Sequence, residues 1–281
     1  MPRPLGGMPF DLHQMGKVYS GAGEGLRKKA CEIDGQRGLL CKSEENTTTD
    51  KKEAEAVKMG KVLIACEESQ TVCKAFRARG HEAYSCDIQE PSGGHPEWHI
   101  LGDALDAVKG GSVTTMDGLT HDVGKWDLLI AHPPCTYLCM SSQKHCNIEV
   151  YGQKAVERIA KRDEAVEFFM QFVNADCDKI AIENPVGVMT RYYRKADQYI
   201  QPLQFGHPTT KRTGLWLKNL PKLTPTKIVE QEFHISGTGR KWDKWFWDSS
   251  VIQDRAERSR FRSKTFEGIA EAMAEQWGAL I

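Results

Sequence analysis

The chain has 281 residues, with 38 Lys and Arg against 38 Asp and Glu, so its net charge near pH 7 is zero. Such a balance gives no overall field for nucleic acid or membrane; any surface of that kind must be local. Nine cysteines are an odd count without disulfide-scaffold spacing, and no leader or bilayer-length apolar run is seen, so a reduced, cytoplasmic protein is expected.

Residues 1–59 differ from the rest. Glycines cluster early, and Ser43–Lys52 is polar without apolar period. A poorly ordered extension is expected there, with a short helix around Lys51–Lys58. The folded domain is expected over residues 60–281. Val62–Cys66 reads as a strand, Glu67–Gln70 as a polar turn, and Thr71–Arg79 as a helix stopped at Gly80. Ala83–Asp87 is a second strand ending in an acid. This is a βαβ start, and Asp87 lies about 20 residues beyond the first turn, where nucleotide-binding folds place an acid for ribose hydroxyls. It also reads as an ordinary strand-end acid. The first turn lacks Gly-x-Gly-x-x-Gly, which argues against a pyrophosphate cofactor and less against S-adenosylmethionine.

Trp98–Asp106 contains a short strand ending in Gly-Asp, which sets Asp103 beside Asp87. Residues 107–125, with four glycines, read as loop. Then comes Leu128–Ala131, a short apolar run closed by Pro133 and Pro134, the pattern of a buried parallel strand. Cys135 follows at the carboxyl end of that strand, the edge where open α/β sheets bind ligands. A thiol there is a nucleophile if its surroundings favour the thiolate. It equally suits a buried structural cysteine. Tyr137–Asn147 reads as a polar loop covering a site; Cys135, Cys139, His145 and Cys146 match no common zinc spacing, and no metal is expected.

Gln153–Asn174 is the clearest helix, with Val156, Ile159, Val166, Phe169, Met170 and Val173 as an apolar stripe read as core. Lys179–Glu183 is another buried strand, followed by Asn184-Pro185. Glu183, like Cys135, is a polar group at a strand end before a rigid turn, so a thiol and a carboxyl are candidates for one pocket.

These residues together resemble the DNA cytosine-5 methyltransferases, especially small phage-type members. Pro134-Cys135 is similar to their Pro-Cys nucleophile motif and Ile182–Pro185 to their Glu-Asn motif. Gln201–Leu217 and Ser263–Trp277 resemble segments of the phage-type members. The resemblance covers residues 61–281. It departs at the first motif, where Glu67, Glu68 and Gln70 replace glycines, at Thr136 and Pro185, and in a basic motif reduced to Lys211-Arg212.

The resemblance implies a class I methyltransferase fold, a mostly parallel seven-stranded sheet with helices on both faces. It implies S-adenosylmethionine as cofactor, held by Cys66, Glu67, Glu68, Ser69, Asp87, Ile88, Asp103, Ala104 and Pro133. Cys135 would attack carbon 6 of cytosine, and Glu183, its pKa raised by burial, would donate to or bind N3. Asn184 would orient the loop, and Lys211 or Arg212 would hold the base or a phosphate. A cytosine in duplex DNA must be flipped out to be reached. Residues 219–262 stand where larger members carry a recognition domain. From Arg240 to Lys264 there are eight basic and four acidic residues. Arg240, Lys241, Lys244, Arg258 and Arg260 are the candidate DNA contacts, with tryptophans beside them; a small tryptophan core with a solvated basic face is the other reading. A monomer in the cytoplasm is expected, the host's if the chain is phage-encoded. Methylation of cytosine in RNA or a nucleotide, and an inactive DNA-binding protein, are the alternatives.

Overall fold

The computed structural model describes residues 59–281, which belong to one compact unit, Ala54–Ile281. The expected extension, Met59 apart, and its short helix lie outside the described residues. The central sheet has seven strands: β1 Lys61–Ala65, β2 Glu82–Asp87, β3 His99–Leu101, β4 Leu128–Ala131, β5 Lys179–Pro185, β6 Gln198–Ile200 and β7 Thr213–Lys218. Their order is β3-β2-β1-β4-β5-β7-β6. β1 to β5 pair in parallel, and β7 runs antiparallel between β5 and β6. This is the class I methyltransferase fold.

Alternation along each strand feeds two cores. On β1, Val62 and Ile64 face the helices α1 Thr71–Arg77 and α5 Glu267–Gly278, where they meet Phe76, Met273 and Trp277. Leu63 and Ala65 face the other side, with Phe169 and Phe172 of the long helix α2 Gln153–Val173. Both sheet faces are covered, so β4 and, after Lys61, β1 are apolar throughout. No helix among the described residues is long and apolar enough to cross a membrane.

The structure corrects three expectations. Residues 107–125 are not simply loop: Gly111–Thr114 and Thr120–Gly124 pair as an antiparallel hairpin. Its strands bury only Val113 and Val123 among exposed or half-buried neighbours, so no apolar alternation marks it in the sequence. The polar loop Tyr137–Asn147 contains a short helix, Met140–Gln143, and a 3-10 turn, Lys144–Cys146, and another short helix, Ile148–Tyr151, follows it. The α2 stripe is core only toward its carboxyl end. Val156 is exposed, whereas Phe172, outside the stripe, is fully buried. The first half of α2 lies instead over the loop after Cys135, where Arg158 donates to the Ser142 and Thr136 carbonyls.

Beyond β7, the insert forms a hairpin, Phe233–Ile235 with Lys241–Asp243, then α3 Lys244–Ser250 and α4 Arg255–Ser263. Its aromatics pack largely on one another: His234 stacks on Trp247 at 4.1 Å, and Trp245 stacks on Phe261 at 5.6 Å. Asp243 is one tie to the rest of the domain. Its carboxylate accepts from the Phe246 amide (3.0 Å) at the start of α3, from Gln231 Nε2 (2.8 Å), and from Thr209 Oγ1 (2.8 Å) and the Thr210 amide (3.1 Å). Burial alone would raise the Asp243 pKa; these hydrogen bonds more than offset it and hold the carboxyl below its ordinary value.

Asp243→Ala is therefore expected to destabilise the domain by about 1–2 kcal/mol near neutrality. The sign with pH is fixed. A depressed folded pKa contributes stability above the unfolded value, lost as pH falls through the folded one. The difference in Tm between parent and variant should thus be full at about pH 6 and shrink below about pH 4. Thermal melts across that range check it.

Candidate active site

The strand order reverses between β1 and β4, and the carboxyl ends of β1, β2, β4 and β5 open there into one cleft. It holds about 490 Å³ and is lined on one side by Cys66–Ser69 and Asp87, and across the floor by His132–Thr136 and Glu183–Pro185. Lys211 and residues of α4 and the turn after it close the remaining wall.

The first turn reaches its shape without glycine. Cys66 (φ 59°) and Gln70 (φ 57°) both adopt the left-handed conformation, unusual for residues with a Cβ. The buried Gln70 side chain supports this, donating to Ser85 Oγ (3.2 Å) and the His95 carbonyl (2.8 Å) and accepting from the His95 amide (3.1 Å). Between them Glu67 folds back on the helix. Its two carboxylate oxygens accept from the amides of Val72 (2.7 Å) and Cys73 (3.1 Å) in the first turn of α1. Burial nevertheless pushes the Glu67 carboxyl above its usual range. Glu68 is also buried and lines the cleft, but neither of its carboxyl oxygens has a hydrogen-bond partner among the described residues. Asp87 lines the same end, its Oδ1 accepting from the Gln89 amide (2.9 Å).

Not every expected cofactor residue is there. Ile88 is 80% exposed and does not line the cleft; it lies just past the strand end, where the chain turns outward. Asp103 instead caps the short helix Ala104–Ala107, accepting from the Leu105 amide at 2.9 Å. Ala104 is buried in the core beneath.

Cys135 and Glu183 come to one floor. Cys135 stands exposed where the chain turns after Pro133 and Pro134. Enclosure by the cleft walls, then the charge of Glu183, push its thiol up to about 11, and Lys211 pulls it partly back. Asn184 ties the two strand ends together: its Nδ2 donates to the Pro133 carbonyl at 2.7 Å. Gly187 brings the two strand-end loops together. Its backbone bridges Cys139, and the Val188 amide donates to the Leu138 carbonyl at 2.8 Å. A Cβ on Gly187 would stand 2.0 Å from that oxygen, so only glycine fits.

Glu183 departs from expectation. Burial raises its pKa, but His132, Lys211 and Thr213 more than offset that, and its pKa is lowered overall. His132, missed in the sequence, sets Nδ1 3.3 Å from Glu183 Oε2. A signal was available: Ala131 pairs with Ile182 in parallel register, which puts the next residues, His132 and Glu183, side by side.

The two basic candidates separate. Lys211 lines the cleft, and its Nζ donates to the Arg262 carbonyl at 2.7 Å. Arg212 is absent from the cleft lining and lays its guanidinium on the Tyr199 ring, 4.4 Å from the centroid. Of the expected DNA contacts, Arg260 lines the cleft. Arg240 covers the Trp242 ring at 4.1 Å, Lys241 lies 5.7 Å from the Phe233 ring, Lys244 pairs with Asp248 at 2.7 Å, and Arg258 donates to the Ile252 carbonyl at 3.0 Å. Arg262, outside the expected set, lines the cleft and also lies over the Phe246 ring at 4.3 Å.

Neither a family model nor a curated protein sequence matches this chain. Among solved structures, that of the Dnmt2 methyltransferase from S. pombe is similar over 71% of this chain and 62% of that one, at 15% identity and a TM-score of 0.30. The chain thus spans less than two thirds of that structure's length, and so slight a likeness carries nothing about activity.

Proposed function

We propose that this chain transfers a methyl group from S-adenosylmethionine to carbon 5 of cytosine in DNA. The observation that carries this reading is the shared cleft: Cys135 and Glu183 face the same space as the acidic turn Glu67-Glu68 and Asp87.

The turn favours a cofactor that is cationic and free of phosphate. Helix amides of the kind that cradle phosphate in dinucleotide sites are here taken by the Glu67 carboxylate. Glu68 adds an unpartnered carboxyl, which matches an ammonium or sulfonium and repels an anion. Asp87 stands at the end of β2, suited to ribose hydroxyls. S-Adenosylmethionine, when bound, supplies an electrophilic methyl group.

The protein's own residues make cytosine nucleophilic. Cys135 adds to carbon 6 as its thiol proton passes by way of the Glu183 carboxylate to N3, which neutralises the negative charge that develops there. Carbon 5 then carries enamine character. Once it is methylated, loss of its proton to water expels the thiolate, and N3 returns its proton to Glu183 as the ring is restored. Lys211 stabilises both anions, the thiolate and the carboxylate. Arg260 at the rim, with Arg240 and Lys241 on the insert, supplies phosphate contacts. Exposed Phe233, Trp242 and Phe246 are aromatic surfaces for unpaired or displaced bases.

The test is transfer of labelled methyl to duplex DNA, to RNA and to free cytidine nucleotides, with digestion and chromatography of the product. The reading predicts 5-methyldeoxycytidine from DNA. Product only from RNA or nucleotides overturns the acceptor, and a methylated exocyclic nitrogen overturns the chemistry. On the same assay, Lys211→Ala should lower kcat by about a hundredfold, since it loses the cation beside both anions. Arg212→Ala, which removes a side chain lying on Tyr199 outside the cleft, should stay within about threefold.

A further inference from the structure

His132 is a polar residue on the cleft floor that the mechanism above leaves unused. It follows β4 directly, as Cys135 does three residues later, and register sets it beside Glu183. Its side chain is only 10% exposed, and Glu183's is 22% exposed. Nδ1 lies 3.3 Å from Glu183 Oε2, while Nε2 is buried with no hydrogen-bond partner among the described residues. That asymmetry fixes the tautomer. A proton on Nε2 would be a buried donor without an acceptor; on Nδ1 it points at a carboxylate oxygen. Neutral His132 is therefore a donor to Glu183.

We propose that His132 is the positioning partner of Glu183: its Nδ1–H holds Oε2, leaves the other carboxyl oxygen to serve the substrate, and sets the charge that Cys135 meets. Glu183's part in catalysis rests on the function proposed above; the pairing does not. When Glu183 passes the proton taken from the Cys135 thiol on to N3, an O–H bond breaks and an N3–H bond forms. The resulting carboxylate is then stabilised by the Nδ1–H already in place, which keeps its own proton throughout. The charged and titratable groups around Glu183 come from each neighbouring element: His132 after β4, Cys135 on the next turn, Lys211 before β7, with Thr213 on β7. Glu67 faces His132 from the first turn.

Cys135 reports the pairing without any substrate. The Glu183 charge opposes ionisation of the thiol. Without His132, the buried Glu183 carboxyl keeps its proton more readily, the opposing charge fades and thiolate becomes more abundant. Iodoacetamide labelling of the full-length protein at pH 7, followed peptide by peptide by mass spectrometry, reads this directly. Glu183→Gln is expected to label at Cys135 about tenfold faster than the parent, and His132→Ala several-fold faster, the scale set by one like charge. His132→Asn, whose side-chain amide can replace the Nδ1–H donor, should return to near the parental rate. In the Glu183→Gln background, His132→Ala should add nothing. Thermal melts confirm that each variant is folded. Parental or slower labelling in His132→Ala, failure of the Asn rescue, or a further gain in the double variant would overturn the pairing. None of these readouts needs methyl transfer, so failure of the proposed reaction leaves them standing.

Discussion

Cys135→Ala is expected to abolish covalent capture of a DNA duplex containing 5-fluorocytosine. In the presence of S-adenosylmethionine, the parent should add through sulfur to carbon 6 and become methylated at carbon 5. The fluorine cannot leave as a proton does, so the thiolate cannot be expelled and the adduct survives a denaturing gel. The alanine variant has no atom with which to form the sulfur–carbon bond. Its methyl transfer to ordinary cytosine should fall by about 10⁴-fold or more, because a covalent step has no partial substitute. Retained capture in the variant would assign the nucleophile elsewhere. The resting thiol adds a pH signature. With its pKa raised to about 11, the thiol is almost wholly protonated at neutrality. Alkylation of Cys135 in the free protein should therefore climb about tenfold per pH unit between roughly pH 7 and 10. The thiolate needed at neutral pH must then arise with substrate bound, next to Lys211.

Glu68→Gln should move stability and ligand binding in opposite directions. Glu68 is 7% exposed, and both its carboxyl oxygens lack partners among the described residues. An acid buried in that way is destabilising in the free protein. A neutral amide of the same shape should raise the stability of the free protein by about 1 kcal/mol, or roughly 2–4 °C in Tm. The same change should weaken binding of S-adenosylhomocysteine, which keeps the ammonium group, by about thirtyfold. The thermal shift produced by that ligand would shrink accordingly. Asp87→Asn should weaken binding without the gain in Tm, because Asp87 already has partners. An unchanged ligand shift in Glu68→Gln would show that Glu68 does not face the cofactor.

The strands that build the cleft were legible because each is buried on both faces. Leu128–Ala131 and Lys179–Ile182 stand out as apolar runs ended by proline or by an acid, so Cys135 and Glu183 could be named as strand-end groups. The hairpin of residues 111–124 was not legible, since its pattern is set by turns and glycines rather than by burial. Neither the rotation of Arg212 away from the cleft nor the capture of Asp103 as a helix cap is visible in residue order. Both are decided by which neighbour each side chain meets. The charge state of Glu183 differs from expectation for a related reason: burial is readable from the sequence, but the imidazole, the lysine and the hydroxyl brought against it by folding are not. The insert was half readable. Its basic and aromatic content was plain, but the allocation of Trp245 and Trp247 to its own packing emerges only in three dimensions.

The contact of Gly187 with Leu138 joins the loop bearing Cys135 to the loop bearing Glu183. The two reactive groups thus ride on one rigid plate, and neither can swing aside alone to admit a guest. Across the cleft, α4 buries none of its residues and is held by its packing on α3 and by the bond from Lys211 to the Arg262 carbonyl. On the proposed function, the residues that perform the chemistry sit on this plate, and α4 with the turn after it forms the wall that an acceptor base would meet. Changes on the α3–α4 side should alter the choice of acceptor and leave the reaction performed on it untouched, so this half of the molecule can diverge while the other stays constant.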